Sequence, residues 1–253
     1  MELKSLVAKI HPLHRTLVSD GTDEALRILA EYLPPAADYS VETYEPNTRA
    51  WTWRVPERYV VHDAYLETLE GERLIDFLDN PLHLVSYSLP IDRELSWDEL
   101  KPHLHFSAKR PNAIPWVYKY YERSWGFCLS KEQFDDLPRD MRYHAVIRSE
   151  FVTDPDQGLR IGVAVLPPEQ AKQAIDSGEF LVCAHICHPN QANDDASGVA
   201  VAVEVARRLA KRPLPPGSMS VRFLFCPETI GSVCYLSHHD DLIPRFKGSI
   251  FIE

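Results

Sequence analysis

The C-terminal half of the chain alternates between two patterns of hydrophobic and polar positions. Short apolar runs bounded by turn residues predict buried strands, and longer segments with apolar positions three and four apart predict amphipathic helices. Strands are predicted over 143–147, 160–166, 180–186, 220–226 and 249–252. Helices are predicted over 167–177 and 195–211 in this half, and over 22–33 near the N-terminus. Strands that alternate with helices indicate an α/β fold with a largely parallel central sheet.

The segment from about 46 to 139 differs in composition and in its pattern of apolar and polar positions. It is rich in aromatic residues and proline, and its short runs alternate apolar and polar positions, as in 59–66. A period of two is typical of half-buried β-strands. We therefore predict an inserted, mostly β subdomain over 46–139, with 1–45 and 140–253 forming the α/β domain. The alternative is that this segment simply extends the main sheet.

Composition and charge narrow the class of protein. The 253 residues are 45% hydrophobic and 25% charged, with a formal net charge of −10 and no tract of Lys or Arg, which disfavours nucleic acid or an anionic membrane as the main partner. No apolar run is long enough to predict a transmembrane helix, and the N-terminus does not have the pattern of a secretory signal. Five cysteines, an odd number, favour reduced thiols and a cytoplasmic protein. Self-association into a homo-oligomer stays open.

Candidate ligands follow two of the predicted strands. The run 180–186 reaches His185, and a polar loop then leads to Asp194-Asp195-Ala-Ser-Gly198 and a helix; the run 220–226 leads to Glu228. The carboxyl ends of parallel strands meet at one edge of a sheet, and imidazole and carboxylate groups are ligands that zinc accepts. Glu228 could ligate zinc or take a proton from a water molecule. Taken singly, these residues also fit a structural histidine and acidic helix caps.

The order of these residues resembles that of the zinc-dependent exopeptidases of the bacterial aminopeptidase and glutamate carboxypeptidase type. In detail the chain is similar to bacterial aminopeptidase-like proteins of poorly known function that carry an aromatic-rich insertion. The insertion motifs are Tyr87-Ser88, Ile114-Pro115-Trp116, Tyr120-Tyr121 and Trp125-Gly126-Phe127-Cys128. The resemblance implies a three-layer sandwich of the phosphorylase/hydrolase type with a mostly parallel central sheet. It also implies that the α/β domain is incomplete at its C-terminus.

The resemblance implies a role for each matching residue. His185 matches the first histidine ligand, and Asp194 matches the carboxylate that bridges two zinc ions. The peptide between Asp194 and Asp195 matches one that is usually cis in the family. Glu228 matches the glutamate region that supplies a general base and a zinc ligand. Glu253 stands where the family has another acidic ligand.

The chain departs from the family pattern at three places. Two adjacent acids are usual where this chain has Pro227-Glu228, so Glu228 can fill either the role of the base or that of the ligand, rather than both. Cys187 takes the place of the aspartate that usually orients the first histidine. A final histidine ligand lies beyond position 253 in the family. The ligand set therefore allows either one zinc ion or two.

His188 has three alternative roles. It could replace a missing ligand at the same metal, pack against the insertion, or face the substrate. A structural zinc knuckle built from His185, His188, Cys183 and Cys187 is disfavoured. Cys183 lies inside an apolar strand, and no second pair of cysteines follows at the spacing of a knuckle.

The chemistry of these residues predicts a zinc-dependent hydrolase that cleaves an amide bond. An aminopeptidase acting on a short peptide is the leading hypothesis, and a small peptide or amide is the expected partner. The runner-up is an amidohydrolase that acts on an N-acyl sugar or another non-peptide amide. A third hypothesis is a catalytically inactive, aminopeptidase-like binding protein. Pro227 and Cys187 are the features that favour it.

Overall fold

The computed structural model describes residues 3–168, 177–212 and 214–253. Contacts between residues divide the chain into two compact units, Met1–Arg58 with Thr153–Glu253, and Tyr59–Val152. The predicted bounds of the insertion, 46 and 139, rest on composition and stay a prediction. Most of the predicted helix over 167–177 lies outside the described residues. No described helix is long and apolar enough to cross a membrane.

Helices and strands occur in both units of the described chain. The helices are α1 Leu3–Ile10, α2 Asp20–Ala30, α3 Trp97–Leu100, α4 Lys131–Asp136, α5 Ser197–Lys211 and α6 Ile230–His238. The strands are β1 Asp38–Tyr44, β2 Arg49–Ala50, β3 Trp53–Arg54, β4 Arg58–Thr68, β5 Arg73–Asp76, β6 Ile91–Ser96, β7 Leu104–His105, β8 Phe127–Cys128, β9 Arg142–Val152, β10 Leu159–Leu166, β11 Glu179–His185, β12 Ser220–Cys226 and β13 Phe246–Ile252.

The first unit contains a five-stranded sheet in the order β1-β10-β12-β11-β13. The α/β class is confirmed, but the sheet is mixed rather than mostly parallel. β12 and β13 pair with β11 in parallel, whereas β10 pairs antiparallel with both β1 and β12. Parallel neighbours need a crossover connection, and α5 and α6 provide such connections only after β11. The parallel part therefore coincides with the strand–helix alternation of the sequence.

Helices cover both faces of this sheet. Successive residues of its strands therefore point alternately to one buried face and to the other. Val182, Phe223 and Phe225 share one hydrophobic core with residues of α1, α2 and α5. The intervening positions point the other way, and Cys226 lies near Cys234 of α6. α6 contacts β10 and β12 on that side. The three layers implied by the family resemblance are present.

The N-terminal helix α2 begins earlier than the sequence predicts. The cap is Ser19, whose side chain accepts a hydrogen bond from Thr22 N, rather than Thr22 or Asp23. α2 ends at Ala30, so Pro34 follows the helix at a distance of four residues. Ser19 satisfies one of the free N–H groups of the first turn, which explains the earlier start.

The second unit is built around a four-stranded sheet in the order β5-β4-β9-β6, with a two-stranded sheet of β7 and β8. β6 runs antiparallel to β9, with Leu95 opposite Tyr143 on the buried side. On the opposite face of these two strands, His144 is part-exposed and Asp92 is exposed. One apolar and one polar face produce the period of two seen in the sequence.

Candidate metal centre

His185 is the last residue of β11, at the carboxyl edge of the parallel strands. Its register partner on β12 is Cys226, also the last residue of its strand. The side chain of His185 is 2% exposed, and Nε2 lies 2.9 Å from Asp194 Oδ1. The other ring nitrogen, Nδ1, is buried and has no hydrogen-bond partner among the described residues. Burial, followed by the neighbouring His188, lowers the pKa of His185, which favours the neutral ring that metal ligation requires.

The two adjacent aspartates have different surroundings. The peptide bond between Asp194 and Asp195 is cis. Asp195 is fully buried, and its two carboxylate oxygens accept hydrogen bonds from His185 N at 3.1 Å and Gly198 N at 2.9 Å. Asp194 is 55% exposed and turns Oδ1 toward two imidazoles. Asp195 therefore holds the strand end to the start of α5, while Asp194 is available to a ligand.

Gly198 is required by this arrangement. A Cβ atom at position 198 would lie 2.0 Å from Asp195 Oδ1, so any side chain would displace the buried carboxylate. Burial raises the pKa of Asp195 to about 7, although its two hydrogen bonds act in the opposite direction.

His188 lies between two carboxylates. Its Nδ1 is 3.1 Å from Asp194 Oδ1, and its Nε2 is 3.3 Å from Glu228 Oε2. The rings of His188 and His185 meet edge to face with centroids 4.8 Å apart. Glu228 is half-exposed and follows β12. His188 thus connects the carboxylates that follow β11 and β12.

Cys187 lies close to both histidines of the cluster. Its thiol is buried, and Sγ accepts a hydrogen bond from Glu228 N at 3.1 Å. Burial raises the pKa of Cys187 to about 12 in the absence of a metal. The ligand atoms of His185, Cys187 and His188 all lie within 4.8 Å of one another.

Arg15 completes the cluster and was not identified from the sequence. Its buried guanidinium donates from Nη1 to Ile186 O at 2.9 Å and from Nη2 to His188 O at 2.5 Å. Burial lowers the pKa of Arg15 to about 10, and the charges of Cys187 and the aspartates oppose that shift. The sequence around Arg15, which also contains His14 and Thr16, does not single out this residue, and its partner Ile186 lies 171 positions away.

Glu253 follows β13 at the same edge of the sheet and is exposed. Burial is the main cause of both shifts, and the negative charge of Glu253 opposes the lowering of the His185 pKa and adds to the raising of the Asp195 pKa. The structure thus brings His185, His188, Asp194 and Glu228 into direct contact, with Glu253 within electrostatic reach.

The donor atoms at this cluster fit a zinc ion. Two nitrogen or oxygen donors that bind zinc at 2.0–2.1 Å in a tetrahedron lie about 3.3 Å apart. His185 Nε2 and His188 Nδ1 lie 2.9 and 3.1 Å from the same oxygen of Asp194. The carboxylate of Glu228 lies 3.3 Å from the second ring nitrogen of His188, so a half-exposed acid stands beside this donor set.

Two family models match the chain. Residues 58–150 match a domain of unknown function (DUF2172), and residues 163–228 match peptidase family M28. A protein of Clostridium acetobutylicum described as "Putative polysaccharide biosynthesis protein with aminopeptidase-like domain" is 33% identical over 246 residues. That similarity covers 97% of this chain and 53% of the relative. The chain therefore spans about half the length of the curated relative.

Solved structures share the fold. A crystal structure described as a "putative peptidase" from Clostridium acetobutylicum has a TM-score of 0.87 and 32% identity, covering 98% of this chain and 55% of the other. A zinc aminopeptidase from Bacillus subtilis has a TM-score of 0.65 at 14% identity, covering 99% and 68%. A peptidase M28 precursor from Shewanella amazonensis has a TM-score of 0.63 at 12% identity, covering 98% and 68%. At such low identities these last two show a common fold and no more.

Proposed function

Because this chain contains a peptidase family M28 region within the fold of the zinc aminopeptidases, we propose that it is a zinc-dependent aminopeptidase on short peptides. The resemblance predicted from the sequence is confirmed, and it supports a peptidase-like hydrolase. Zinc, the amide substrate and catalytic turnover belong to the proposal.

One observation carries this proposal. His185 and His188 approach the same oxygen of Asp194, at 2.9 and 3.1 Å, at the edge where the parallel strands end. Imidazole and carboxylate donors of this kind form catalytic zinc sites, which keep a position open for water or substrate. The exposed part of Asp194 and of Glu228 leaves that side of the cluster accessible.

Zinc, when bound, lowers the pKa of water and polarises an amide carbonyl. His185, His188 and Asp194 would hold the ion, and Glu253 is an additional acidic ligand in this proposal. Glu228 is the general base: its half-exposed carboxylate takes the proton of the attacking water and passes it to the leaving amine. Its contact with His188 Nε2 keeps the carboxylate beside the ion-binding donors.

The test combines metal analysis with turnover of aminoacyl anilides. The 253-residue chain should bind zinc and hydrolyse the anilide to the amino acid and the free aniline. Glu228→Gln should lower kcat by about 10²–10⁴-fold with zinc still bound, since general acid–base catalysis contributes that much. Glu204→Gln is the matched control, because Glu204 lies on α5 and pairs with Arg208 away from the cluster. A chain that binds zinc without turning over any amide would overturn the enzyme and favour the inactive binding protein.

A second candidate is an amidohydrolase that acts on an N-acyl sugar. The observation that favours it is the description of the Clostridium relative, which links an aminopeptidase-like domain to polysaccharide biosynthesis. The same zinc chemistry serves both substrates. Turnover of N-acetylated sugars without turnover of aminoacyl anilides would select this candidate over the aminopeptidase.

A further inference from the structure

We propose that Cys187 binds the metal ion as a thiolate, sharing the ion with His185 and His188. This inference rests on the proposed function, because it concerns the ion that the hydrolase would use. Neither matched family model assigns Cys187 a role. The zinc donors expected at this edge of the sheet are nitrogen and oxygen atoms alone, so a sulfur ligand changes the chemistry of the centre.

The spacing of the residues supports a shared ion. The ligand atoms of His185, Cys187 and His188 lie within 4.8 Å of one another. Sulfur and nitrogen donors of one tetrahedral zinc ion lie roughly 3.3–3.6 Å apart, given bonds of 2.3 and 2.0–2.1 Å. A separation of 4.8 Å would therefore have to shorten by about 1.2–1.5 Å, which is less than 1 Å for each atom when both partners move.

The strand pattern directs Cys187 toward His185. Successive residues of an extended segment alternate between faces, so positions 185 and 187 share one side. Ile186, between them, packs into the hydrophobic core with α5 residues. The chain direction that buries Ile186 thus turns both candidate ligands to the opposite side.

His185 is buried at the place where the shared ion would lie. Its side chain is 2% exposed, and Nε2, the nitrogen that faces the ion in the proposed function, lies 2.9 Å from Asp194 Oδ1. Cys187 and His188 offer further donor atoms within 4.8 Å of a nitrogen of this ring.

Two contacts of Cys187 oppose the burial that disfavours a negative sulfur. Sγ accepts a hydrogen bond from Glu228 N at 3.1 Å. Arg15 brings a buried positive charge to the backbone on either side, through Ile186 O and His188 O. N–H donors and nearby cations stabilise a thiolate, which is the form that binds metals. On binding, the S–H bond breaks, a sulfur–metal bond forms, and the proton passes to solvent.

A thiolate restricts the kind of ion. Sulfur ligands select zinc and similar soft or borderline metals, whereas magnesium, calcium and manganese prefer carboxylate, carbonyl and water oxygens. We therefore expect zinc and cobalt(II) to bind, and magnesium to bind poorly. The proposed class of ligand is a thiophilic divalent cation.

X-ray absorption of the zinc-loaded chain is the direct test. The inference predicts a zinc–sulfur shell at about 2.3 Å beside nitrogen and oxygen at 2.0–2.1 Å. Cobalt(II) in place of zinc should give a near-ultraviolet charge-transfer band from thiolate to metal. Cys187→Ser should remove both signals and weaken zinc binding at least tenfold. Cys183→Ser is the matched control, because this thiol is also buried, lies in β11 four residues before Cys187, and contacts Cys226 Sγ at 3.8 Å.

The outcomes separate this inference from the proposed function. Zinc bound through nitrogen and oxygen alone overturns the thiolate and leaves the zinc hydrolase standing. A sulfur shell that persists in Cys187→Ser, or disappears in Cys183→Ser, also overturns it. A chain that binds neither zinc nor cobalt overturns the proposed function itself. The absorption spectrum of the unmodified chain decides the question even if Cys187→Ser fails to fold.

Discussion

Replacing Arg15 with methionine tests whether this residue supports the metal cluster or only stabilises the fold. Arg15 donates hydrogen bonds to Ile186 O and His188 O, and these two carbonyls flank Cys187. Methionine preserves much of the buried volume but donates no hydrogen bond. The backbone that carries Cys187 and His188 would then lose the groups that fix it, and the positive charge near Asp194 would be removed.

The net loss of stability is small because two effects oppose each other. Two buried carbonyls left without donors cost about 1–3 kcal/mol each. However, burial lowers the pKa of Arg15 from 12.5 to about 10, a difference that corresponds to roughly 3 kcal/mol of penalty for the buried charge at about 1.4 kcal/mol per pH unit. Methionine removes that penalty. We therefore expect Arg15→Met to lower the free energy of unfolding by at most about 3 kcal/mol.

We expect Arg15→Met to affect zinc affinity more strongly than it affects the free energy of unfolding. Groups that orient metal ligands typically change metal affinity by about 10–100-fold when they are removed. The assay is competition with a chromogenic chelator, beside urea unfolding of the metal-free chain. Arg222→Met is the control, since Arg222 forms a bidentate pair with the buried Glu179 and breaking such a pair costs about 3–5 kcal/mol. If Arg15→Met loses stability but binds zinc as the unmodified chain does, Arg15 is structural and the reasoning is refuted.

Two further predictions concern other parts of the chain. Gly198→Ala should lower the free energy of unfolding by about 3 kcal/mol, because its Cβ displaces Asp195 from two hydrogen bonds; an unchanged Tm would contradict this. Hydrogen bonds to Asp92 and then Glu67 raise the pKa of His144, so its protonated ring stabilises the fold below pH ~6.5, and this contribution is lost as pH rises through the raised pKa. The effect should stay below about 1 kcal/mol because the ring is part-exposed, and urea unfolding across that pH range should show a smaller pH dependence for His144→Gln. An equal pH dependence in both proteins would contradict this account.

The strands were the most predictable part of the fold. β12 has the predicted bounds, and β11 is displaced by one residue, because both are buried apolar runs of strand length between turns. The direction of each strand was less accessible. Periodicity gives the face of a residue but not the neighbour of its strand, so the antiparallel pairing of β10 could not be derived from its pattern.

The candidate site was predictable where it depends on strand ends. His185 and Glu228 follow neighbouring strands, and the parallel register of β11 and β12 brings their loops to one edge. The role of His188 had several alternatives, because the residue lies beyond the end of β11, where no periodic pattern gives its direction. Arg15 was inaccessible, because its hydrogen bonds connect residues 171 and 173 positions apart.

The neighbouring aspartates show that environment, more than chemistry, assigns the roles in this cluster. Both are carboxylates, yet Asp195 is fully buried with its oxygens bonded to two backbone N–H groups, whereas Asp194 is 55% exposed and faces two imidazoles. A metal at Asp195 would first have to break both hydrogen bonds, each worth about 1.5–3 kcal/mol for a charged acceptor. At Asp194 it would displace only water and the imidazole contacts that it then replaces with bonds to the ion. Asp195 therefore fixes the end of β11 to the start of α5, and Asp194 is the residue through which this edge of the sheet can bind a metal.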